Sequence, residues 1–342
     1  MNDSQEHYLK NRKILFFAPA FFNYEYIIKE KMEHAGAAVY FYDARSVSKA
    51  WERAILKVSP LFFLRKSDNY FGKIISKHKH ENFDYIFIVK CDMFSKKILK
   101  RLKTTFPKAK LCLHIWDSIK NIPNILNKVD LFNFASSFDR NDCLKNNKFA
   151  FRPLFYADEF NKSIVMHKEY SYDVSFCGTI HSDRYGIIKK IIKQCNNFGF
   201  SFYNFCFLQS KFIYYFYKLI NPDFWNSTLE DFSFDKKTQK EISEISDSSR
   251  IILDIQHPNQ TGLTMRTIEM IGLKKKIITT NTDIVNYDFY RSENICVIDR
   301  KNPVIDTNFL NTEYLELPKE IYEKYSLDNW ILDVLDIKRQ KA

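Results

Sequence analysis

The sequence predicts an α/β protein of two doubly wound domains, and three observations carry that reading. Short, almost continuous apolar runs recur along the chain, each followed by a stretch of helical spacing. A run of this kind suits a strand buried on both faces of a parallel sheet. The alternation breaks once, near residues 151–172, and then resumes. The 342 residues are enough for each half to bury a core of its own.

The elements follow in order. "KILFFAPAFF" (13–22) reads as the first strand. "YEYIIKEKMEHA" (24–35) has helical spacing and stops at Gly36, a residue suited to ending a helix. "AVYFYDAR" (38–45) and "YIFIVK" (85–90) are further strands, and a basic helix runs from Ser95. "KLCLHIWDS" (110–118) and "LFNFASS" (131–137) complete the first series, so residues 1–150 form one Rossmann-like domain. Residues 151–172 read as the connection.

The second series starts at "YDVSFCGT" (172–179). A helix over 184–196 follows, then "FSFYNFCF" (200–207), "SRIILDIQ" (249–256), a helix starting near Leu263 or Thr264, "KKIITTN" (275–281) and "ICVIDR" (295–300). Residues 173–325 thus form the second domain, and 326–342 a final amphipathic helix with a basic end. Two such halves joined by one connection imply a cleft between them, with ligands at the C-terminal ends of the strands.

Composition narrows the function classes. Hydrophobic residues make up 45% and aromatics 16%, as in a folded protein, while only 7 Gly and 9 Pro argue against long linkers. No internal repeat is visible. The net charge of +11, from 52 Lys and Arg against 41 Asp and Glu, favours nucleic acid, anionic lipid headgroups or phosphorylated substrates. A lysine-rich composition gives the same charge with no partner at all. Seven scattered cysteines without a C-x-x-C pair argue against a disulfide framework or a zinc site and fit a reducing cytoplasm. The polar N-terminus lacks the apolar core of a signal peptide, and no window has 18 consecutive apolar residues. A cytoplasmic protein is expected.

Two strand-to-helix turns in the second half can carry chemistry. In "TGLTMRTIEMIGLKKKIITTN" (261–281) the first N–H groups of the helix lack intrahelical partners and carry the positive end of its dipole, a natural seat for phosphate. Gly262 allows close backbone approach, Thr261 and Thr264 can cap, and Arg266 can grip the anion with its fork. Glu269, three residues on and on the same face, can take sugar hydroxyls or hold Arg266; the pair also reads as an ordinary ion pair on a half-exposed helix. In "VSFCGTIHSDRY" (174–185) Gly178 and Thr179 turn the chain, and His181, Asp183 and Arg184 stand at the next helix. His257, in the loop before the Arg266 helix, can contact a phosphate. There is neither a G-x-G-x-x-G nor a Walker A motif, which counts against dinucleotide dehydrogenases and P-loop enzymes.

The "DVSFCGT" turn, the run "GLTMRTIEMIG" with its following "KKIITTN", and the stretches "LHIWDSIKNIPN" (113–124) and "SSFDRNDC" (136–143) together resemble GT-B glycosyltransferases of bacterial surface-polysaccharide clusters, those of lipopolysaccharide, O-antigen or capsule. The resemblance spans most of residues 13–330. It implies two Rossmann-like domains facing across a cleft, the acceptor in the first half and a nucleotide-sugar in the second. It also implies that Gly178, Thr179, Arg266 and Glu269 line the donor site. Many retaining members carry a Glu eight residues before the position of Glu269; here Thr261 stands there, which leaves the stereochemistry open.

No D-x-D triplet is present, so no metal or other cofactor is expected, and Arg side chains with the helix dipole must stabilise the leaving diphosphate. If the enzyme inverts, a base must deprotonate the acceptor hydroxyl. Asp117 is the first choice, with His114, Asp92 and Glu25 in reserve; Asp117 also reads as a plain helix cap. Residues 46–80 hold eight Lys and Arg among aromatics, and "FLQSKFIYYFYKLINPDFW" (207–225) is aromatic with two lysines. Both suit an anionic membrane surface and a lipid-linked acceptor, on the inner face of the cytoplasmic membrane, and both also suit core packing with a solvated basic face. The competing readings are a basic nucleic-acid-binding protein, for which no recognised motif is present, and a non-catalytic GT-B scaffold.

Overall fold

The computed structural model describes residues 7–45, 64–122, 124–162, 169–258 and 261–338. The basic and aromatic stretch expected over 46–80 therefore lies partly outside the described residues, at 46–63. The chain divides into two compact units, residues 1–154 with 327–342, and residues 155–326.

In the first unit the strands are β1 (Lys13–Ala18), β2 (Ala38–Asp43), β3 (Tyr85–Val89), β4 (Lys110–Ile115), β5 (Phe134–Ser137) and β6 (Ala150–Phe151). They pair in the order β2-β1-β3-β4-β5-β6, every pair parallel. Helices α1 (Tyr24–His34), α2 (Leu64–Lys77), α3 (Lys96–Thr105) and α4 (Arg140–Lys145) occupy the crossovers. Gly36 stands at φ +96° just beyond α1, where an L side chain would be strained, and Ser95 caps α3 by accepting from the Ile98 N–H. The central strands are buried on both faces, so their sequence runs apolar without alternation. Phe17, Phe71 and Phe94 interlock in the core, the last two stacked with centroids 4.0 Å apart.

β1 ends at Ala18, before the run 13–22 does. Phe21 and Phe22 fall in the loop after it, both exposed, with Phe22 and Asn23 in the left-handed region. The final helix of the chain completes this unit. It spans Leu327–Val334, buries Trp330 beside Phe87 and His114, and is tied down by Asp328 to Lys31 and by Asp333 to Arg152.

The second unit carries β7 (Tyr172–Thr179), α5 (Arg184–Asn197), β8 (Phe202–Phe207), α6 (Lys211–Ile220), α7 (Gln239–Asp247), β9 (Ser249–Asp254), α8 (Met265–Gly272), β10 (Lys276–Thr279) and β11 (Ile295–Val297). Two short helices follow, α9 (Thr307–Asn311) and α10 (Lys319–Lys324), which makes the final helix α11. The sheet order is β11-β10-β9-β7-β8, again parallel throughout. The order reverses between β7 and β9, where chain crossovers leave on opposite sides and open a space above the strand ends. Among the described residues no helix is long and apolar enough to cross a membrane.

Candidate functional site

The switch point of the second sheet gathers the charged side chains. β7 ends at Thr179 and β9 at Asp254, and α8 begins right after the loop that follows β9. Thr264 caps α8, its hydroxyl accepting from the Thr267 N–H at 3.3 Å. The Thr267 hydroxyl in turn donates to Asp254 at 2.5 Å, fixing the start of the helix to the end of the neighbouring strand.

Three arginines converge there. Arg184, the first residue of α5, donates to the carbonyls of Thr179 and Ile255. Arg266 donates from Nη1 to the Cys177 carbonyl at 2.5 Å. Arg300, after β11, donates to the Gln256 carbonyl at 3.1 Å and to the Thr280 hydroxyl at 3.3 Å. Burial pushes the Arg184 pKa down to about 10; Asp254 opposes the shift, while the charges of Arg266 and Arg300 add to it. Gly178 leaves room for this crowding, since a Cβ there would sit 3.0 Å from the Phe176 ring and 3.6 Å from Arg184 Nη1.

Two of the guanidinium groups have a carboxylate within 4 Å, and the third feels the charge of one. Asp183 takes two bonds from Arg300, Glu269 lies 3.8 Å from Arg266 Nε, and Asp254 acts on Arg184. The formal charges balance, but exposure does not: the Arg266 side chain is 21% exposed and that of Glu269 only 5%. Asp254 is likewise buried. In the Arg300 pair the order is reversed, Asp183 being 47% exposed and Arg300 20%, so the accessible side of the cluster carries the Arg266 guanidinium together with the Arg300–Asp183 pair. Such a surface beside the N-terminus of a helix favours a phosphate or diphosphate.

The sequence-predicted residues fall as follows. Gly178, Thr179, Arg184, Thr264, Arg266 and Glu269 are brought together at this end of the sheet, with Gly262 buried in the loop before α8. His181 is half-buried, with its ring 5.0 Å from that of the exposed His257. Burial, then the charges of Arg184, His257 and Arg300, push the His181 pKa down to about 4, so the ring is neutral near pH 7. Arg300, Asp254 and Thr267 belong to the same cluster and were not among the expected site residues, and Asp183, which the sequence places at the turn without a role, joins them. Asp254 carried one usable signal, a carboxylate closing the apolar run "IILD".

In the first unit Asp117 follows β4. Its carboxylate pairs with Lys90 Nζ at 2.8 Å and accepts from the Ser118 N–H and from Asn121 Nδ2. Burial raises its pKa, but Lys90 and these hydrogen bonds outweigh that and leave it below the ordinary carboxylate range. Asp92 lies 3.9 Å from the same ammonium and is pushed the other way, burial exceeding the pull of Lys90. Lys90 itself sits at φ 58°, a left-handed position at the end of β3. The other two reserve bases have structural partners. His114 is wholly buried with Nδ1 2.9 Å from the Ser136 hydroxyl, and Glu25 accepts from the Phe21 N–H. Among the described residues no group of three or more His, Cys, Asp or Glu side chains is placed to hold a metal ion.

No protein-family profile matches the sequence, and no curated protein matches it. Solved structures do. A glycosyltransferase from Rickettsia africae superposes with a TM-score of 0.61 at 13% identity, over 96% of this chain and 97% of that one. HepE of Anabaena, solved with UDP-glucose, gives 0.58 at 12% identity over 95% and 98%. The chain has the GT-B fold. A UDP-GlcNAc 2-epimerase from Neisseria meningitidis, solved with UDP-GlcNAc, shares it with a TM-score of 0.52 at 10% identity over 95% and 100%.

Proposed function

We propose that this protein transfers a glycosyl group from a nucleotide-sugar to a lipid-linked glycan acceptor of the lipopolysaccharide, O-antigen or capsule type, at the inner face of the cytoplasmic membrane. The observation that carries the donor half of this reading is the convergence of Arg184, Arg266 and Arg300 on the strand ends beside the capped start of α8. Gly178, Thr179, His181, His257, Gly262 and Thr264 surround the diphosphate in this reading, and Glu269 takes a sugar hydroxyl while steadying Arg266. The fold shared with proteins solved with UDP-glucose and UDP-GlcNAc supports the same donor class.

In the transfer the bond from the anomeric carbon to the diphosphate oxygen breaks, and its electron pair stays on the diphosphate. The guanidinium forks and the α8 dipole stabilise that charge without calling on a metal. The acceptor oxygen bonds to the anomeric carbon, and in an inverting reaction its proton passes to Asp117. The membrane-side acceptor rests on the aromatic stretch over 207–225 with its two lysines.

The test is a thermal-shift screen of the purified protein against UDP, GDP, CMP and dTDP, each with and without Mg²⁺. A ligand at a hundredfold excess over Kd adds about 2.7 kcal/mol of apparent stability. One nucleotide is expected to raise the melting temperature, and Arg266→Ala to abolish the rise. No shift with any nucleotide sinks the reading. Epimerisation is the second reading, favoured by the epimerases that share the fold. Conversion of a UDP-sugar with no acceptor present would establish it in place of transfer.

A further inference from the structure

Helix α6 is apolar on two sides. Its inner side seats Tyr214 and Tyr217 against the core, with the Tyr217 ring stacked on Phe224 at 5.0 Å. Its outer side carries Phe212, Tyr215, Phe216, Leu219 and Ile220, spaced i, i+3, i+4, i+7 and i+8 and therefore on one face. All five are exposed, Phe212 at 80% and Leu219 at 81%, and Trp225 beyond the helix adds a sixth at 61%. A contiguous apolar face of this kind marks a surface meant to be covered.

The charges around it point to the cover. α6 has Lys211 and Lys218 and no acidic residue. Lys218 is held by the Tyr214 hydroxyl and the Ser227 carbonyl, and Lys189 of α5 reaches the Asp223 carbonyl in the turn after α6. The Asp223 carboxylate lies against Gly186 of α5. An isologous dimer through this face would gain no carboxylate from α6 to pair Lys211, which stands next to Phe212. An anionic leaflet offers the opposite charge, and Trp, Tyr and Phe beside lysine are the side chains that settle between headgroups and acyl chains.

We infer that the outer face of α6, with Trp225, inserts into the headgroup layer of an anionic phospholipid leaflet and seats the second unit on the membrane. The inference deepens the membrane-side part of the function proposed above and rests on it only for its purpose, since lipid binding needs neither donor nor turnover.

The experiment is co-sedimentation of the full chain with phosphatidylcholine vesicles, with and without phosphatidylglycerol, for the wild type and for F212S/F216S/L219S. The substituted side chains are exposed, so the variant is expected to melt as the wild type does. Wild type should pellet with the anionic vesicles and bind the neutral ones more weakly, and the variant should bind about tenfold more weakly. Anionic vesicles should also shift the tryptophan emission to the blue, a change lost in Trp225→Phe. Wild type that stays in solution with both vesicles overturns the inference, as does a variant that pellets like the wild type. A concentration-dependent dimer removed by the triple substitution, without vesicle binding, overturns it in favour of a copy-to-copy interface. Vesicle binding by a protein that shows no nucleotide shift would leave the inference standing and the donor reading fallen.

Discussion

Arg300 grips Asp183 with two nitrogens, Nε at 2.8 Å and Nη2 at 2.6 Å, and this pair ties the loop after β11 to the start of α5. The hydrogen bonds from Arg300 hold the Asp183 carboxyl below its ordinary range, against the upward push of burial. A depressed carboxylate adds stability above its unfolded pKa, and that stability is lost as pH falls through the folded value. The contribution is small, because the Asp183 side chain is 47% exposed and solvent screens the pair.

The larger effect is expected on ligand binding. Arg300→Ala removes one fork from the cluster and should weaken the nucleotide by about tenfold, roughly 1.4 kcal/mol. Asp183→Asn keeps the fork but loosens its brace, so its loss should be smaller. Calorimetric titration with the nucleotide found in the thermal screen checks both. Equal affinity in wild type and Arg300→Ala would remove Arg300 from the donor site.

The base assignment is tested by a pair of variants. Asp117→Asn should cut turnover by a factor on the order of a hundred while leaving the nucleotide-induced melting shift unchanged. Asp117 is ion-paired with Lys90, which makes it a weaker proton acceptor than its neighbour Asp92. If Asp92→Asn has the large effect and Asp117→Asn the small one, Asp117 serves to hold Lys90.

Buried His114 predicts an acid sensitivity of the first unit. Burial, reinforced by the charge of Arg152, takes its pKa from 6.5 to about 3. Between those values the unfolded chain binds a proton that the folded chain refuses, so stability falls as pH drops through that window. In His114→Gln the decline in urea midpoint from about pH 7 to about pH 4.5 should be visibly shallower, whatever the variant's stability at neutral pH. An unchanged slope would mean that the imidazole is protonated in the folded protein.

Gly272 closes α8 against the chain that leads into the second unit. A Cβ there would come within 2.5 Å of the Tyr156 ring, and the Phe160 carbonyl is closer still. The Gly272 carbonyl also accepts from the Tyr322 hydroxyl at 2.7 Å and the Lys162 N–H at 3.1 Å. Gly272→Ala should cost about 1–3 kcal/mol, each kcal/mol lowering the melting temperature by roughly 2–4 °C. A scanning calorimetry trace that matches wild type would show that α8 can shift to make room.

The positions of the strands along the chain could be anticipated because strands of doubly wound sheets are uniformly apolar runs, and "YIFIV" or "RIILD" leave little choice. Thr264 and Arg266 were legible for a local reason: a cap and the side chain two residues after it lie within one turn. Arg300 was not, because it follows a three-residue strand and meets Asp183, 117 positions away in the chain, only once the chain between them has folded. His114 misleads in the other direction. A histidine near a strand end reads as a candidate base, and only packing reveals Trp330 across its ring and Ser136 on its nitrogen.

The return of α11 to the first sheet has a consequence for how the chain reaches its native state. The second unit is one unbroken run of residues, 155–326, whereas the first is split by it. During synthesis the later-emerging unit can therefore finish folding while the earlier one still waits, its β4 face uncovered, for Trp330 to leave the ribosome. Deleting residues 327–342 would leave the second unit cooperative and turn the first into a holdase client.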